Sequence, residues 1–455
     1  MISSLKPYHE YQESELPWLG MVPKHWKMLP AFGAFKPNKA RNIGMKEKRV
    51  LSLSYGRIVI KPAEKLHGLV PESFETYQIV DPGDIVLRTT DLQNDHASLR
   101  VGMVRDRGII TSAYLALRCL SGVSPDYGFQ FLNVWDSSKA IYGYGSGLRQ
   151  NLDFSHFKRM PVPIPPPEEQ VAIARFLDWA NGRLERAIRA KRKVIALLNE
   201  QKQAIIHRAV TRGLDPNVPL KSSGIPWLGD IPTHWEVSRV KNVFRCFNTQ
   251  RIPLNAVERG VMTGRVYDYY GASGVIDKVD NYLFDDELLL IAEDGANLVL
   301  RNLPLAIIAR GKFWVNNHAH ILKPIRGSIV YLAHVLETLN YKPWISGAAQ
   351  PKLTQDRLMA ISISIAPPEE QGLIVEHTEE QARPLSTTIS RLESEIDLLL
   401  EYRTRLVADV VTGKLDVREA AARLLDVEPL PDGDMADDEL DDSADDILFD
   451  EEADA

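Results

Sequence analysis

The chain contains an internal repeat that extends over most of its 455 residues. Residues 16–26 return as residues 225–235, an offset of 209, with seven identities that include two tryptophans and a histidine. A second motif, Pro-Pro-Glu-Glu-Gln, begins at residues 166 and 367, and a third, Val-Thr-x-x-Leu-Asp, begins at residues 210 and 411, both at an offset of 201. Two copies of one unit therefore follow each other, which predicts two similar structural units rather than one undivided domain.

The two parts of each copy differ in how strictly their length is kept. From the second motif to the third the offset stays at 201, whereas from the first to the second it falls from 209 to 201, so the second body is shorter by 8 residues. One segment thus behaves as a spacer of fixed length and the other as a module whose loops vary. This pattern indicates two different modules held by equal spacers.

The fixed-length segments have the pattern of long helices. Two prolines followed by two glutamates suit a first helical turn, where acidic side chains face the positive end of the helix dipole. Apolar residues then recur at the a/d spacing of a coiled coil. In the first copy these are Ile173, Ala180, Ala187 and Val194 in one row and Leu177, Leu184, Leu198 and Ile205 in the other; in the second copy they are Ala382, Ile389 and Ile396 in one row and Leu385, Leu392, Leu399 and Leu406 in the other.

Each such helix needs a partner that covers its apolar stripe. The other copy's helix, packed antiparallel, is the simplest cover and would place the two bodies at opposite ends of a rod. The 43 residues from Glu168 to Val210 would span about 65 Å at about 1.5 Å per residue. Pro384 is expected to kink the second helix or to make it restart.

The variable bodies show short strand-like runs broken by glycine, proline and aspartate. Residues 80–87 are typical of a turn and a strand, residues 283–291 of the corresponding strand, and residues 330–339 of a short helix. The predicted fold class is α/β, with two small mixed α/β modules joined by two long antiparallel coiled-coil helices in a pseudo-twofold internal repeat. The predicted boundaries are 1–160 for the first module, 161–215 for the first spacer helix, 216–363 for the second module, 364–428 for the second spacer helix with a short following helix, and 429–455 for a disordered acidic tail.

Composition limits the classes of function. The two cysteines, Cys119 and Cys246, cannot build a disulfide framework or a four-thiolate zinc site, and they fit a reducing cytosol. The sequence predicts no membrane span and no secretion signal. Residues 432–455 hold 13 acidic residues and no basic one, so the net charge of −7 becomes +6 over residues 1–431, where 54 basic residues face 48 acidic ones. Such mild basicity permits DNA binding without requiring it.

Glycine-containing loops with base-reading side chains are candidates for DNA contact. The run 143–151 offers arginine, which reads guanine in the major groove, and glutamine, which reads adenine; residues 347–352 hold the matching place in the second copy. The tyrosine-rich run 267–274 fits a DNA-contacting loop and a structural turn equally well. The candidate DNA-binding residues are Arg88, Arg149, Gln150, Asn151, Arg265, Tyr270, Ser273, Gln350 and Lys352.

The remaining motifs favour structural roles. The repeated tryptophans are expected to anchor the start of each module to its core, with His25 and His234 packed beside them. His318 and His320 lack a nearby cysteine or acidic residue that would complete a zinc site. Basic residues along the first spacer helix indicate a solvated face, with phosphate contact as the alternative. Because no P-loop, methyl-donor loop or amino-methyltransferase motif is found, the sequence predicts no catalytic residue and no metal site.

The order of the motifs resembles that of the DNA specificity subunits of type I restriction-modification systems. The resemblance covers about residues 1–425 and rests on Pro-Trp-Leu-Gly-x-x-Pro-x-His-Trp, a variable body, Pro-Pro-x-Glu-Gln, a long helix and Val-Thr-x-x-Leu-Asp, given twice. The runs 270–274 and 282–285 are similar to that family's second recognition domain. Pro384 and the acidic tail depart from the family's pattern.

The resemblance implies two target recognition domains that each read half of a split double-stranded DNA sequence. It implies helices that set the gap between the halves and dock two methyltransferase subunits, with restriction (motor-nuclease) subunits joining them. S-adenosylmethionine, ATP and Mg would be bound by those partners, and this chain would be non-catalytic, free of cofactors and cytoplasmic. Two alternatives stay open: a coiled-coil scaffold that binds only protein, and a self-contained DNA-modifying enzyme.

Overall fold

The described residues divide into two compact units. Unit 1 contains those between 5 and 190 and between 394 and 424, and unit 2 contains those between 191 and 393. The computed structural model describes residues 5–62, 73–93, 98–146, 150–301, 303–347 and 351–424, so the predicted acidic tail lies outside the described residues. Each unit combines one module with the start of its own spacer helix and the end of the other copy's helix.

Unit 1 is built on a four-stranded antiparallel sheet in the order β4-β11-β8-β9. Its strands are β1 (Tyr11–Glu13), β2 (Met21–Pro23), β3 (Lys27–Pro30), β4 (Phe35–Pro37), β5 (Leu51–Ser54), β6 (Arg57–Ile60), β7 (Gln78–Val80), β8 (Ile85–Arg88), β9 (Val101–Met103), β10 (Gly108–Ile110), β11 (Tyr114–Cys119) and β12 (Pro161–Ile164), and its short helices are α1 (Ala31–Ala34), α2 (Pro125–Ser137) and α3 (Phe154–Phe157). The predicted turn and strand at 80–87 are confirmed, because Gly83 takes a left-handed φ of 88° just before β8.

The second module is built on a larger sheet. Between the first long helix, α4 (Pro167–Arg212), and the second, α10 (Pro368–Val411), lie β13 (Leu220–Ser222), β14 (Asp230–Pro232), β15 (Glu236–Arg239), α5 (Val240–Val243), β16 (Phe244–Cys246), α6 (Ala256–Gly260), β17 (Tyr267–Gly271), β18 (Gly274–Val279), β19 (Phe284–Ala292), α7 (Asn297–Leu300), β20 (Ala306–Val315), β21 (Ala319–Pro324), α8 (Ile329–Thr338), α9 (Gln355–Ala360) and β22 (Ser362–Ile365). Six strands form one sheet in the order β16-β21-β19-β20-β17-β18, in which only β17 and β20 pair in parallel among the described strands. The predicted strand at 283–291 and helix at 330–339 are confirmed as β19 and α8.

The two modules share several local solutions. A serine caps the main module helix in both, with Ser124 accepting from the backbone N–H of Tyr127 and Ser328 from that of Tyr331. In both, the first strand after the His-Trp pair is hydrogen-bonded to the last strand before the long helix, as β3 with β12 and β15 with β22. The chain therefore leaves each module next to the point where it entered that module.

The two long helices are confirmed, and their first and last turns belong to the module cores. In unit 1 the buried residues Ile173 and Leu177 near the start of α4 share a core with Leu406 and Val410 near the end of α10. In unit 2 the end of α4 and the start of α10 share a core in the same way. Within each unit, the start of one helix thus meets the end of the other. A short helix, α11 (Arg418–Ala422), follows α10.

The buried stripe departs from the predicted heptads near the middle of α4. Of the predicted spacer positions, Leu177, Leu184 and Leu406 are buried, and Leu198, Ile205, Leu385, Leu392 and Leu399 are half-buried. Ala187 and Val194 are exposed, however, and Ile188 is buried instead. A straight helix repeats every 3.6 residues rather than 3.5, so a stripe that follows a strict heptad rotates out of the contact.

Pro384 does not make the second helix restart. The helix α10 is continuous from Pro368 to Val411 with Pro384 inside it. The proline lacks an N–H for the carbonyl of Glu380, but it lies on the exposed side of the helix, where water can replace the lost donor.

Candidate nucleic-acid interface

In unit 1, the first and second repeated motifs meet at one buried carboxylate. Glu169 is 3% exposed and accepts hydrogen bonds from the indole N–H of Trp26 at 2.8 Å and from the hydroxyl of Tyr8, while the His25 ring lies 2.8 Å away through Nε2. Burial and this carboxylate both raise the pKa of Tyr8, so its hydroxyl remains a donor. The Pro-Pro-Glu-Glu-Gln motif thus fastens the start of the module to the start of α4.

Unit 2 contains the same anchor, a glutamate of the Pro-Pro-Glu-Glu-Gln motif that is bonded to the His-Trp pair. Glu370 is bonded to Nε2 of His234 at 2.7 Å and to the indole N–H of Trp235 at 2.9 Å. The glutamine that follows also has the same function in both copies: the amide oxygen of Gln170 accepts from the backbone N–H of Ser124, and that of Gln371 from the backbone N–H of Ser328. The structural interpretation is confirmed for Trp26 and Trp235, which are buried, whereas Trp18 is half-buried and Trp227 is exposed.

The third motif lies at the end of each long helix and packs against the anchor at the start of the other long helix. Gly413, after α10, has a φ of 75°, and a Cβ there would lie 2.3 Å from Cδ of Pro23. Gly213, after α4, has the same φ, and a Cβ there would lie 2.9 Å from the Glu370 carboxylate. The three repeated motifs are therefore one structural device, and the candidate contact residues must be sought in the variable loops.

In unit 1, the candidates meet at the end of β8. The loop after residue 144 is tied to this strand end, because the backbone N–H of Leu152 donates to the Thr89 carbonyl at 2.8 Å. Asn151 is exposed, and its side-chain oxygen accepts from the backbone N–H of Asp91 at 3.1 Å. Gln150 turns its amide inward, donating to the carbonyls of Tyr142 and Tyr144. Arg88 is half-buried at the end of β8, and Arg149 lies outside the described residues.

The corresponding edge of unit 2 is a polar cluster. The backbone N–H of Leu353 donates to the Glu293 carbonyl at 2.7 Å, as Leu152 does in unit 1. Lys352, a predicted contact, lies with Nζ 3.3 Å from the Glu293 carboxylate and has a half-exposed side chain. Arg251 also binds this carboxylate. Burial acts to raise the pKa of Glu293, but the hydrogen bond from Arg251 and the nearby charges of Arg251 and Lys352 outweigh it and hold that pKa below its ordinary value. Gln350 lies outside the described residues.

The tyrosine-rich hairpin adjoins the same edge at one end only. Tyr270 packs its ring against Phe313, and its carbonyl accepts from the backbone N–H of Asn316, three residues before β21. Ser273 is exposed in the turn between β17 and β18. Arg265 lies before the other end of β17, paired with Asp277 at 3.1 Å. Asp277 lies opposite Tyr269 in the register of β17 and β18, so the side chain of Arg265 reaches the middle of the hairpin.

Sequence reasoning missed the acidic partners of the two histidines. His318 lies 3.0 Å from Asp294, and His320 is fully buried with Nδ1 3.5 Å from Glu293. Both ring nitrogens of His320 are used within the protein: Nε2 donates to the Leu353 carbonyl, and Nδ1 accepts from the side chain of Asn248. Among the described residues, no group of three or more His, Cys, Asp or Glu residues is arranged to hold a metal ion. In the same residues, no helix is long and apolar enough to cross a membrane.

Comparisons with known proteins agree with this architecture. Residues 232–395 match the model of the type I restriction modification DNA specificity domain. The type I restriction enzyme MjaVIII specificity subunit of Methanocaldococcus jannaschii is 24% identical over 337 residues, which cover 69% of this chain and 75% of that protein. The chain therefore contains a type I restriction modification DNA specificity domain at residues 232–395.

Other proteins match this chain over a shorter region or with lower identity. A Haemophilus influenzae protein assigned as a type I restriction enzyme specificity subunit is 36% identical over 132 residues, and the match covers only 32% of that protein's length. A chain in a solved structure of a type I R-M system has the same fold, with a TM-score of 0.55 and 13% identity over 87% of this chain and 99% of that chain.

Proposed function

We propose that this chain reads a split, asymmetric sequence in double-stranded DNA, with one half read by each module. One observation carries the proposal: the same three-motif anchor holds two modules whose exposed edges carry different chemistry. Unit 1 presents the amide of Asn151, which is bonded to the backbone of Asp91, whereas unit 2 presents Lys352 beside Glu293 and Asp294. Bases differ in the donors and acceptors that they show in the major groove, so unlike edges select unlike half-sites.

The helices are proposed to act as a coiled-coil spacer that sets the gap between the half-sites. Equal spacer lengths in the two copies and apolar stripes on both helices support this role. A helical spacer translates a change of length into a fixed change of distance, which a flexible linker does not. We place the module boundaries at 1–160 and 216–363, with the spacers at 161–215 and 364–428.

The proposed partners are two methyltransferase subunits and motor-nuclease subunits, for which this chain acts as the common scaffold. We propose that the complex forms in the cytoplasm, where the DNA lies. S-adenosylmethionine, ATP and Mg belong to those partners in this proposal, and the chain itself is non-catalytic. A body charge of +6 is small for a protein that binds DNA alone. The partners would therefore supply many of the phosphate contacts, and the modules would supply base contacts.

The decisive experiment is a genome-wide map of methylated adenines in cells that express this chain with its neighbouring methyltransferase subunit. We expect a split, asymmetric motif that disappears when this chain is omitted. If the complex forms but no new methylation follows, the protein-binding scaffold becomes the better account. Methylation or cleavage by the purified chain alone would instead support the self-contained enzyme.

A further inference from the structure

Arg100 is a buried arginine whose side chain binds backbone carbonyls. It lies directly before β9 and is 0% exposed. Its Nη1 donates to the carbonyl oxygens of Thr90 at 2.8 Å and Arg88 at 3.3 Å, and its Nη2 donates to that of Asp91 at 3.0 Å. One guanidinium therefore fixes three carbonyls, one in the last residue of β8 and two in the segment that follows it.

That segment supports the exposed edge of unit 1. The backbone N–H of Asp91 donates to the side chain of Asn151, and the carbonyl of Thr89 accepts from Leu152. Asp91 and Gln150 both have left-handed backbone, with φ of 55° and 48°. Such angles are uncommon in residues other than glycine, and the hydrogen bonds around this edge hold both segments of backbone in place.

The same guanidinium also reaches the second stretch of this edge. Nε of Arg100 donates to the hydroxyl of Tyr142 at 3.3 Å, and its Cζ lies 5.5 Å from the centre of the Tyr142 ring. The carbonyl of Tyr142 in turn accepts from the side chain of Gln150 at 2.6 Å. Arginine suits this place because its planar fork offers five donors in fixed directions, whereas lysine offers a single ammonium.

We propose that Arg100 is a positioning residue for base selection in unit 1. It does not touch DNA; it fixes the segment 88–91 and the loop at 150–152, so that Arg88 and Asn151 meet the bases in one orientation. The inference rests on the proposed function, because it concerns how the recognition edge of that function is kept rigid.

In unit 2 another arginine, Arg251, also binds several backbone carbonyls, but it comes from a different part of the sequence. Arg251, with a side chain 16% exposed, donates through Nη1 to the carbonyls of Asn317 at 3.1 Å and Ala319 at 2.9 Å, and through Nε to that of Asn248 at 3.1 Å. It precedes the hairpin, whereas Arg100 lies between β8 and β9, so the two arginines are not equivalent in the repeat. Arg251 should affect only the half-site read by unit 2.

The test compares Arg100→Lys with Arg118→Lys in the full chain. Arg118 is in the same unit and pairs with Asp84 and Asp81, away from the edge. Two readouts are needed: hydrogen exchange of the backbone amides of Asp91 and Leu152, and methylation by the assembled complex of duplex libraries randomised in one half-site at a time. For Arg100→Lys we expect exchange about tenfold faster or more, the ratio for one lost charge-assisted hydrogen bond.

We also expect the preference for the correct bases to fall about tenfold in one half-site, with the other unchanged. Arg118→Lys should leave both readouts at their wild-type values, and Arg251→Lys should relax the opposite half-site. Faster exchange with unaltered base preference in both halves would overturn the inference. If Arg100→Lys does not fold, Tyr142→Phe removes one of its contacts and should relax the same half-site, and an unaltered preference there would again overturn the inference.

Failure of the proposed function would look different. The wild-type complex would then show no split motif at all, while exchange at Asp91 and Leu152 would still report whether Arg100 holds the edge.

Discussion

The indole N–H of Trp26 donates to the carboxylate of Glu169 at 2.8 Å, although the two residues are 143 positions apart in the sequence. Trp235 and Glu370 form the same bond at 2.9 Å, 135 positions apart. These bonds explain why the His-Trp pair and the Pro-Pro-Glu-Glu-Gln motif occur together in each copy: neither can be satisfied without the other. They also locate the junction between each variable module and its helix.

Loss of the indole bond should destabilise unit 1. Trp26→Phe removes a hydrogen bond to a buried carboxylate, and we expect the free energy of unfolding to fall by about 1.5–3 kcal/mol. Urea unfolding, with hydrogen exchange of the first turns of α4, measures this loss. Trp18→Phe is the matched control, because the indole nitrogen of Trp18 has no hydrogen-bond partner among the described residues. Equal losses in both variants would show that ring size rather than the hydrogen bond matters.

The glycine after α10 should be intolerant of any side chain. In Gly413→Ala a left-handed residue costs about 1–2 kcal/mol, and overpacking against Pro23 costs about 1–3 kcal/mol more. Gly372→Ala is the control, since Gly372 lies within α10 and a Cβ there meets nothing within 4 Å. It should stabilise the helix by about 0.5–1 kcal/mol. Thermal unfolding of both variants tests this, and a neutral Gly413→Ala would contradict the close approach to Pro23.

Unit 2 should lose stability in mild acid because of His320. Burial lowers the pKa of His320 below its ordinary value, although its bond to Leu353 and the carboxylates of Glu293 and Asp294 act in the opposite direction. The unfolded chain takes up a proton at about pH 6.5, whereas the folded chain does so only at lower pH. The stabilisation is therefore complete above pH 6.5 and falls as the pH drops toward the lowered pKa.

Denaturant unfolding at pH 7.5 and pH 5.5 measures this effect. We expect wild-type unit 2 to be less stable at pH 5.5 and His320→Gln to show a smaller difference between the two pH values. His334, whose pKa is also lowered by burial, should retain part of the slope in the variant. An identical pH dependence in wild type and His320→Gln would mean that His320 does not contribute.

The spacing of the target should follow the length of the helix. Inserting four residues near Arg192 adds about 6 Å and about one helical turn, and we expect the gap in the methylated motif to change while both half-sites stay the same. The control places the same four residues after Asn217, in the exposed link that follows α4. An unchanged gap after the helical insertion would refute the spacer role.

The two modules should be exchangeable one at a time. Replacing residues 240–355 by the corresponding segment of another specificity subunit leaves the Trp235–Glu370 anchor in place. We expect one half-site of the methylated motif to change and the other to persist. A change in both halves would contradict independent reading by the two modules.

Much of the fold could be predicted because the motifs recur. The strand at Ile85–Arg88, the helix at Ile329–Thr338 and the two long helices all follow from local patterns of turn residues and apolar spacing. The heptad rows fail at Ala187 and Val194 because burial there depends on how a straight helix turns relative to its neighbours. Burial of that kind is a property of the packed helix rather than of the spacing.

The edges of the two units that carry the candidate contact residues were less predictable. Gln150 has the composition of a base-reading residue, yet its amide holds its own loop. Arg100 occurs in an ordinary strand-like run and gives no sequence signal, yet it contacts three carbonyls next to the candidate residues. Such contacts join segments that are distant in the chain or that meet only at a turn, so no periodicity records them.

The sequence by itself determined the twofold plan: two modules of unequal length, spacers of equal length and three motifs that recur in order. Repetition and helical periodicity are written in the order of residues, so they survive without coordinates. Tertiary structure decided what the motifs do and which loop side chains stay exposed. A carboxylate such as Glu169 becomes an anchor only when burial removes water and brings Tyr8, His25 and Trp26 to it, because a buried charge is stable only with such partners.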